Sequence, residues 1–307
     1  MIVAAGLSPA WQQILVFDEF VSGEVNRARE AYWCGSGKVL NAGLAISQLG
    51  ADCCTLSPLG GAAREAIAAE FRSLGAPLRT IACREGTRVC TTILDQATST
   101  TTELVENARP LSADEVAAYT AAFAEEAAQA KIVVLTGSLP AGVASSFYRE
   151  LLDRTPGQAV LDVRGPELIA ALTHRPLVVK PNREELGKTV GRELRGETDL
   201  VAAMRQLNDA GAQWVVVTAG KDAVLVTSIE RAYRLIPPRV ETVVNPIGCG
   251  DALAAGTAVA IERGADVIDA VRYGMAAAAD RLRVVLPSRL DSTNVDQIAR
   301  RIAAIEL

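Results

Sequence analysis

Between Val244 and Gly256 an apolar run breaks into Gly248-Cys249-Gly250-Asp251 and resumes as a helical pattern of small residues. Glycines let consecutive backbone N–H groups converge on one point, and a helix that begins there adds its positive dipole end. Such a turn can hold the oxygens of a transferring phosphoryl group. A carboxylate directly after it, Asp251, stands where an attacking hydroxyl would lie. At a helix start Asp251 is expected to keep a low pKa. Taken alone, Gly-x-Gly-Asp equally describes a glycine turn with an aspartate at the first turn of a helix.

Two further stretches carry polar groups at strand ends. Lys180-Pro181-Asn182-Arg183-Glu184-Glu185 follows an apolar run, and Asn182 and Glu185, three apart, face one side of a first helical turn. That oxygen pair suits a magnesium ion that keeps most of its waters. It also suits a capping box, with Asn182 at the N-cap and Glu185 reaching back. In Thr218-Ala219-Gly220-Lys221-Asp222, Gly220 would let backbone approach a nucleotide phosphate with Thr218 as hydroxyl donor, although many β-turns share this composition. Gly137-Ser138-Leu139-Pro140 is a turn of the same kind.

The elements that must position these residues follow from periodicity. Ile132–Thr136, Ala159–Val163, Leu177–Lys180 and Trp214–Thr218 read as strands separated by amphipathic helical segments, the rhythm of a parallel sheet covered by helices. In open sheets of this kind ligands sit beyond the carboxyl ends of the strands. Gly37–Gly50, entered through a Gly-Ser-Gly turn, and Ala62–Leu74 are predicted helices. Segments of about 12–34 and 87–105 are rich in Thr, Val and aromatic residues without helical periodicity, and are predicted to form a small separate sheet. No linker composition divides the chain, so residues 1–307 are read as one α/β domain with that sheet folded onto it.

Composition narrows the function classes. A formal net charge of −5 over 307 residues gives no general attraction to nucleic acid or anionic membrane. No apolar stretch approaches the ~20 residues of a membrane-spanning helix, and the N-terminal residues lack the basic lead of a secretory signal, which leads us to expect a cytoplasmic protein. Six cysteines without a Cys-x-x-Cys pair are expected to be reduced and mostly buried. His174 is the one histidine, is expected to be solvated, and leaves no basis for serine–histidine hydrolysis or a histidine-rich metal site.

In this order the motifs resemble the ribokinase-like (PfkB) carbohydrate kinases, especially the branch with 1-phosphofructokinase and tagatose-6-phosphate kinase. Beside Gly248–Asp251, the resemblance is carried by Gly23-Glu24-Val25-Asn26-Arg27, Gly37-Lys38 with Asn41, Thr87-Arg88, Thr102-Glu103-Leu104, Gly137-Ser138-Leu139-Pro140, Lys180-Pro181-Asn182 with Glu185, and Thr218-x-Gly220. It implies a ribokinase-like fold with the small sheet as a lid and often as a dimer contact. It implies ATP and Mg2+ as cofactors, Asp251 as catalytic base and Gly248, Cys249 and Gly250 as anion-hole amides. Lys180, Asn182, Thr218, Gly220 and Asp222 would line the ATP site, with Asn182 and Glu185 linked to magnesium through water. Gly37, Lys38, Asn41, Ser138 and Gln12 would hold the sugar, and Arg27 and Arg88 its existing phosphate.

The chain departs from the family pattern on the acceptor side. Where the family reads Asn-Pro-Ala-x-Asp, this chain has Ser8-Pro9-Ala10-Trp11-Gln12, so a carboxylate for sugar hydroxyls is replaced by an amide, with Trp11 adding bulk. Ser36, Val39 and Cys90 also replace residues usual there, and Pro246, which has no N–H, precedes the anion hole. The expected activity is ATP-dependent phosphoryl transfer to a hydroxyl of a small sugar phosphate, with fructose 1-phosphate as leading acceptor. The alternatives are a kinase of an unphosphorylated sugar or nucleoside, and a catalytically silent protein that binds a sugar phosphate.

Overall fold

Alternation along the first strand sorts the core onto two faces of a sheet. In β1 (Ile2–Ala5), Val3 and Ala5 join one apolar cluster while Ile2 and Ala4 join another on the opposite side. In the computed structural model, which describes residues 1–307 throughout, the next two strands leave this sheet: β2 (Ala10–Phe17) and β3 (Glu30–Ser36). The chain returns through α1 (Lys38–Gln48), β4 (Cys53–Gly60), α2 (Ala63–Ser73) and β5 (Leu78–Cys83), then leaves again as β6 (Val89–Asp95) and β7 (Thr100–Val105). Strand and helix next alternate as α3 (Ala113–Ala127), β8 (Ile132–Thr136), α4 (Phe147–Leu152), β9 (Gln158–Asp162), α5 (Gly165–Ala171) and β10 (Val178–Val179). There follow α6 (Arg183–Val190), α7 (Gly196–Asp209), β11 (Trp214–Val217), β12 (Val224–Thr227) and β13 (Ala232–Leu235). The chain closes with α8 (Cys249–Glu262), α9 (Val267–Arg281), α10 (Ser292–Ala299) and β14 (Ala304–Glu306).

The main sheet has ten strands in the order β14-β13-β12-β11-β10-β9-β8-β1-β4-β5. From β11 to β5 every pairing is parallel, and β12, β13 and β14 extend one edge antiparallel. Helices α3, α4, α5 and α7 cover one face and α1, α8, α9 and α10 the other, as the two clusters record. Chain order reverses beside β1, whose neighbours are β4 and β8. The crevice outside the carboxyl ends of these strands is therefore the switch point where ligands bind in such sheets. The run predicted as a strand over 177–180 shortens to Val178–Val179, because Pro181 has no N–H to continue the ladder.

The two non-helical segments form a separate four-stranded sheet, β3-β2-β6-β7. One face of it, with Ile14, Val16, Cys34 and Leu94, packs on Val285 and Leu286 of the loop after α9. The other face carries Trp11 stacked on Trp33 at 5.6 Å between ring centroids. Gly37 joins β3 to α1 at φ 83°, and a Cβ there would lie 2.7 Å from the Ser8 carbonyl oxygen, so only glycine fits.

No helix is long and apolar enough to cross a membrane. All six cysteines are free, and Cys34, Cys53, Cys54 and Cys90 are buried as expected. His174 is exposed, as expected, with its Nε2 3.1 Å from Asp153 Oδ1.

Candidate active site

The turn before α8 leaves backbone N–H groups without partners. Gly248 is the N-cap at φ 86°, so the chain enters the helix through a left-handed residue, and Asp251 falls at N3. The N–H groups of Gly248, Gly250 and Asp251 have no protein partner, whereas that of Cys249 is turned toward the Pro246 carbonyl at 3.4 Å. Cys249, expected among the anion-hole donors, is thus weakly engaged within its own turn. A Cβ at Gly250 would lie 3.4 Å from Lys180 Nζ, which places an ammonium group directly beside these amides.

Asp251 is 6% exposed, and its Oδ2 accepts a hydrogen bond from Asn41 Nδ2 at 2.8 Å. Its pKa corrects the sequence expectation. Burial pushes it up to about 6, the charge of Asp162 adds to the rise, and Lys38, Asn41 and Lys180 only partly oppose it. Desolvation of a carboxylate outweighs the helix dipole here.

Asp162, at the carboxyl end of β9, was not among the residues singled out from sequence, yet it organises the cluster. Its Oδ1 lies 3.0 Å from Lys38 Nζ and 3.2 Å from Lys180 Nζ. Burial drives its pKa upward, but Lys180 and Lys38 overcome that and hold the carboxyl below its ordinary value. The signal was present in Ala159-Val160-Leu161-Asp162, a carboxylate ending an apolar run of a parallel strand. Lys38, expected on the sugar, is instead drawn into this network, with Glu185 Oε1 at 3.4 Å as a second partner. Its pKa is raised: burial opposes the charge, and Asp162, Glu185 and Asp251 prevail.

Asn182 and Glu185 form the capping box in full. Asn182 Oδ1 accepts from the Glu185 N–H at 2.8 Å, and Glu185 Oε2 accepts from the Asn182 N–H at 3.0 Å. Both oxygens are engaged at the helix start, so the pair fits a hydrated magnesium ion held through its waters better than an inner-sphere ligand set. Asn182 also bridges Thr218 across the sheet, and the Arg183 N–H donates to the Thr218 carbonyl at 3.0 Å. Thr218, Gly220 and Asp222 thereby share one rim with Asn182, on the turn between β11 and β12. In that turn the Asp222 N–H donates to the Ala219 carbonyl at 3.1 Å.

On the acceptor side the structure redistributes several residues. Ser8 and Ser138, from the ends of β1 and β8, are hydrogen-bonded to each other through Ser8 Oγ and the Ser138 carbonyl. Arg88 spends its guanidinium on backbone: Nε donates to the Pro9 carbonyl, Nη2 to the Ser8 carbonyl and Nη1 to the Glu106 carbonyl, at 3.2, 3.2 and 2.9 Å. Arg27 lies in the exposed loop between β2 and β3. Three of the five guanidinium N–H groups of Arg88 are thus engaged by carbonyl oxygens.

Trp11 and Gln12 point to opposite faces of β2, as strand periodicity requires. Gln12 is 2% exposed and donates from Nε2 to Thr92 Oγ1 at 2.7 Å. Gln12→Asp is accordingly expected to bury a carboxylate and lose that bond. The variant should melt lower than wild type and gain no kcat/KM for any acceptor; a gain of about tenfold would show that the side chain reaches the sugar.

A cleft of about 440 Å³ is lined by Arg239, Glu241, Val244, Arg283 and Arg301 among others. Convergent polar groups, rather than cleft size, mark the site.

The structure is similar to the "possible 1-phosphofructokinase" of Thermotoga maritima, with 20% identity over 100% of this chain and 99% of that one and a TM-score of 0.89. It is also similar to phosphofructokinase-2 of Escherichia coli solved with fructose-6-phosphate, with 24% identity over 97% of each chain and a TM-score of 0.86. These likenesses show a shared ribokinase-like fold. The profile described as pfkB family carbohydrate kinase matches residues 12–285, nearly the whole chain, and with the anion hole, Asp251 and the lysine cluster already in place the conclusion follows that the chain belongs to the pfkB family of carbohydrate kinases.

Proposed function

We propose that the protein transfers the γ-phosphoryl group of ATP to a hydroxyl of a small sugar phosphate, with fructose 1-phosphate as the leading acceptor. The observation that carries this reading is Asp251, buried at N3 of α8 beside unpartnered amides and the Lys180 ammonium. A loose phosphoryl-transfer transition state asks little covalent chemistry of the protein, so positioning and charge neutralisation do most of the work. Asn41 holds the Asp251 carboxylate toward the acceptor hydroxyl, and Asp251 takes its proton as the bond from phosphorus to ADP breaks. The amides of Gly248 and Gly250, with Lys180, stabilise charge on the transferring oxygens. Asn182 and Glu185 would hold magnesium through its waters, and the ion, when bound, neutralises nucleotide phosphate charge.

Arg88's engagement with three carbonyls favours a second reading, in which the acceptor is an unphosphorylated sugar or nucleoside. Purified protein with ATP and magnesium, assayed against sugars, sugar phosphates and nucleosides, separates the two. The leading reading expects fructose 1-phosphate to give the highest kcat/KM, and equal kinetics for a sugar and its phosphate count for the second. Absence of acceptor-dependent turnover across the panel would leave a binding protein. The outer face of the small sheet, with Trp33 46% and Leu104 56% exposed, is suited to a second copy of the chain. The tetrameric inhibited form of E. coli phosphofructokinase-2 shares the fold.

A further inference from the structure

Arg281, the last residue of α9, is completely buried and is the largest side chain in the molecule to be so. Its Nη1 donates to the Val284 carbonyl at 2.7 Å, while Nε and Nη2 have no partner at all. A guanidinium serving only as glue would be expected to satisfy its remaining donors, since a buried charge without partners is costly and a well-packed apolar side chain of similar volume often does better. The location suggests what offsets that cost. A Cβ at Gly248 would lie 3.7 Å from Arg281 Nε and 3.4 Å from Asn41 Nδ2, so the guanidinium sits against the turn of the anion hole, on the side where Asn41 meets Asp251.

The surrounding backbone ties Arg281 to that turn. The Val244 N–H donates to the Leu282 carbonyl at 2.7 Å, Asn245 Nδ2 to the Val285 carbonyl at 2.7 Å, and the Ile247 N–H to Asn245 Oδ1 at 3.0 Å. The loop that Arg281 holds through Val284 is thus the loop on which the approach to Gly248 rests. No solvent reaches the two unpartnered nitrogens, so a ligand cannot dock on them without displacing protein. Their charge acts from behind the turn.

We propose that Arg281 is a built-in cation of the active site, a positioning residue that fixes the Gly248 turn and sets its positive charge behind the anion hole. Without it the cluster holds three carboxylates, Asp162, Glu185 and Asp251, against two ammonium groups, Lys38 and Lys180. Arg281 brings the cluster to balance, and an arriving phosphoryl group then meets a neutral frame rather than a negative one. The groups facing Asp251 are Cys249 of its own helix, Lys38 and Asn41 from α1, Asp162 from β9, Lys180 after β10 and Arg281 from α9. Removing the last raises the tendency of Asp251 to stay protonated.

The inference rests on Asp251 as the base, and wild-type turnover in the same assay tests that reading separately. Arg281→Met and Arg281→Lys are compared with wild type for thermal unfolding, kcat, acceptor KM and the pH profile of kcat/KM. Arg281→Met is expected to fold, to lose roughly 10²-fold in kcat with acceptor KM within about threefold, and to shift the acid limb of its profile up by about one pH unit. Arg281→Lys should recover most of the kcat and return the limb. A Met variant with a lower melting temperature but kcat within about threefold of wild type and an unmoved limb would reduce Arg281 to a structural brace and overturn the proposal. If the Met variant does not fold, the Lys variant decides alone. Charge retained with kcat within about tenfold supports the proposal, and a hundredfold loss with an unmoved limb overturns it.

Discussion

Asp251→Asn is expected to fold, to bind ATP with little change and to lose roughly 10²–10⁴-fold in turnover, the range for removing a general base. The amide can keep a hydrogen bond to Asn41 but cannot accept the acceptor's proton. Because the base works only when deprotonated, and burial places its pKa at about 6, wild-type kcat/KM should fall as pH drops through that value. Stability moves the other way. A carboxyl whose folded pKa is raised stabilises the fold fully below its unfolded value of 3.8 and loses that contribution as pH rises through about 6. Melting curves should therefore show Asp251→Asn gaining on wild type as pH rises from 3.8 to about 6 and keeping that gain above it. A variant active within a few-fold of wild type would sink the assignment, and one less stable at pH 7.5 would contradict the burial argument.

Asp162→Asn should damage both stability and activity. One carboxylate oxygen sits within reach of two lysines, and Lys180 has almost no other exposure to water. Deleting the anion leaves two like charges facing each other at the carboxyl end of β9. Breaking a buried pair in this way costs about 3–5 kcal/mol. In urea the midpoint should fall with the slope unchanged, since the surface exposed on unfolding is the same. Turnover should fall as well, because freed Lys38 and Lys180 can pair with Asp251 and weaken it as a base. A midpoint unchanged within error would mean that the lysines find other partners.

Much of the architecture was legible because strand and helix periods differ and the second half of the chain alternates cleanly between them. The start of α8 and the capping box at Asn182 and Glu185 were legible too, since each is a short motif whose backbone consequence is local. What could not be read was set by long-range packing. Asp251 was expected to keep a low pKa from its helix position, and only the buried cluster around it reverses that. The bonds of Arg88 to the Ser8, Pro9 and Glu106 carbonyls, two of them some eighty positions away along the chain, have no local signal. Trp11 and Gln12 are neighbours in sequence, yet strand geometry separates their side chains. Asp162 sits in no glycine or cap motif, and a charge closing an apolar strand is its one local signal. Arg281 has no local motif; only its burial gives it away.

The active cluster is also a statement about how the chain reaches its final form. Asn41 meets Asp251 across 210 positions, and Lys38 meets Asp162 across 124. Contacts so distant must wait until the loops between them have closed, and folding slows as such contacts dominate. After dilution from denaturant, helical signal from α3, α7 and α9 can return early, whereas phosphoryl transfer can return only when β1, β8, β9 and β10 stand side by side. Regain of catalysis is therefore a clock for the last step of assembly, and partly folded chains on the way to it are inert toward ATP and its acceptor.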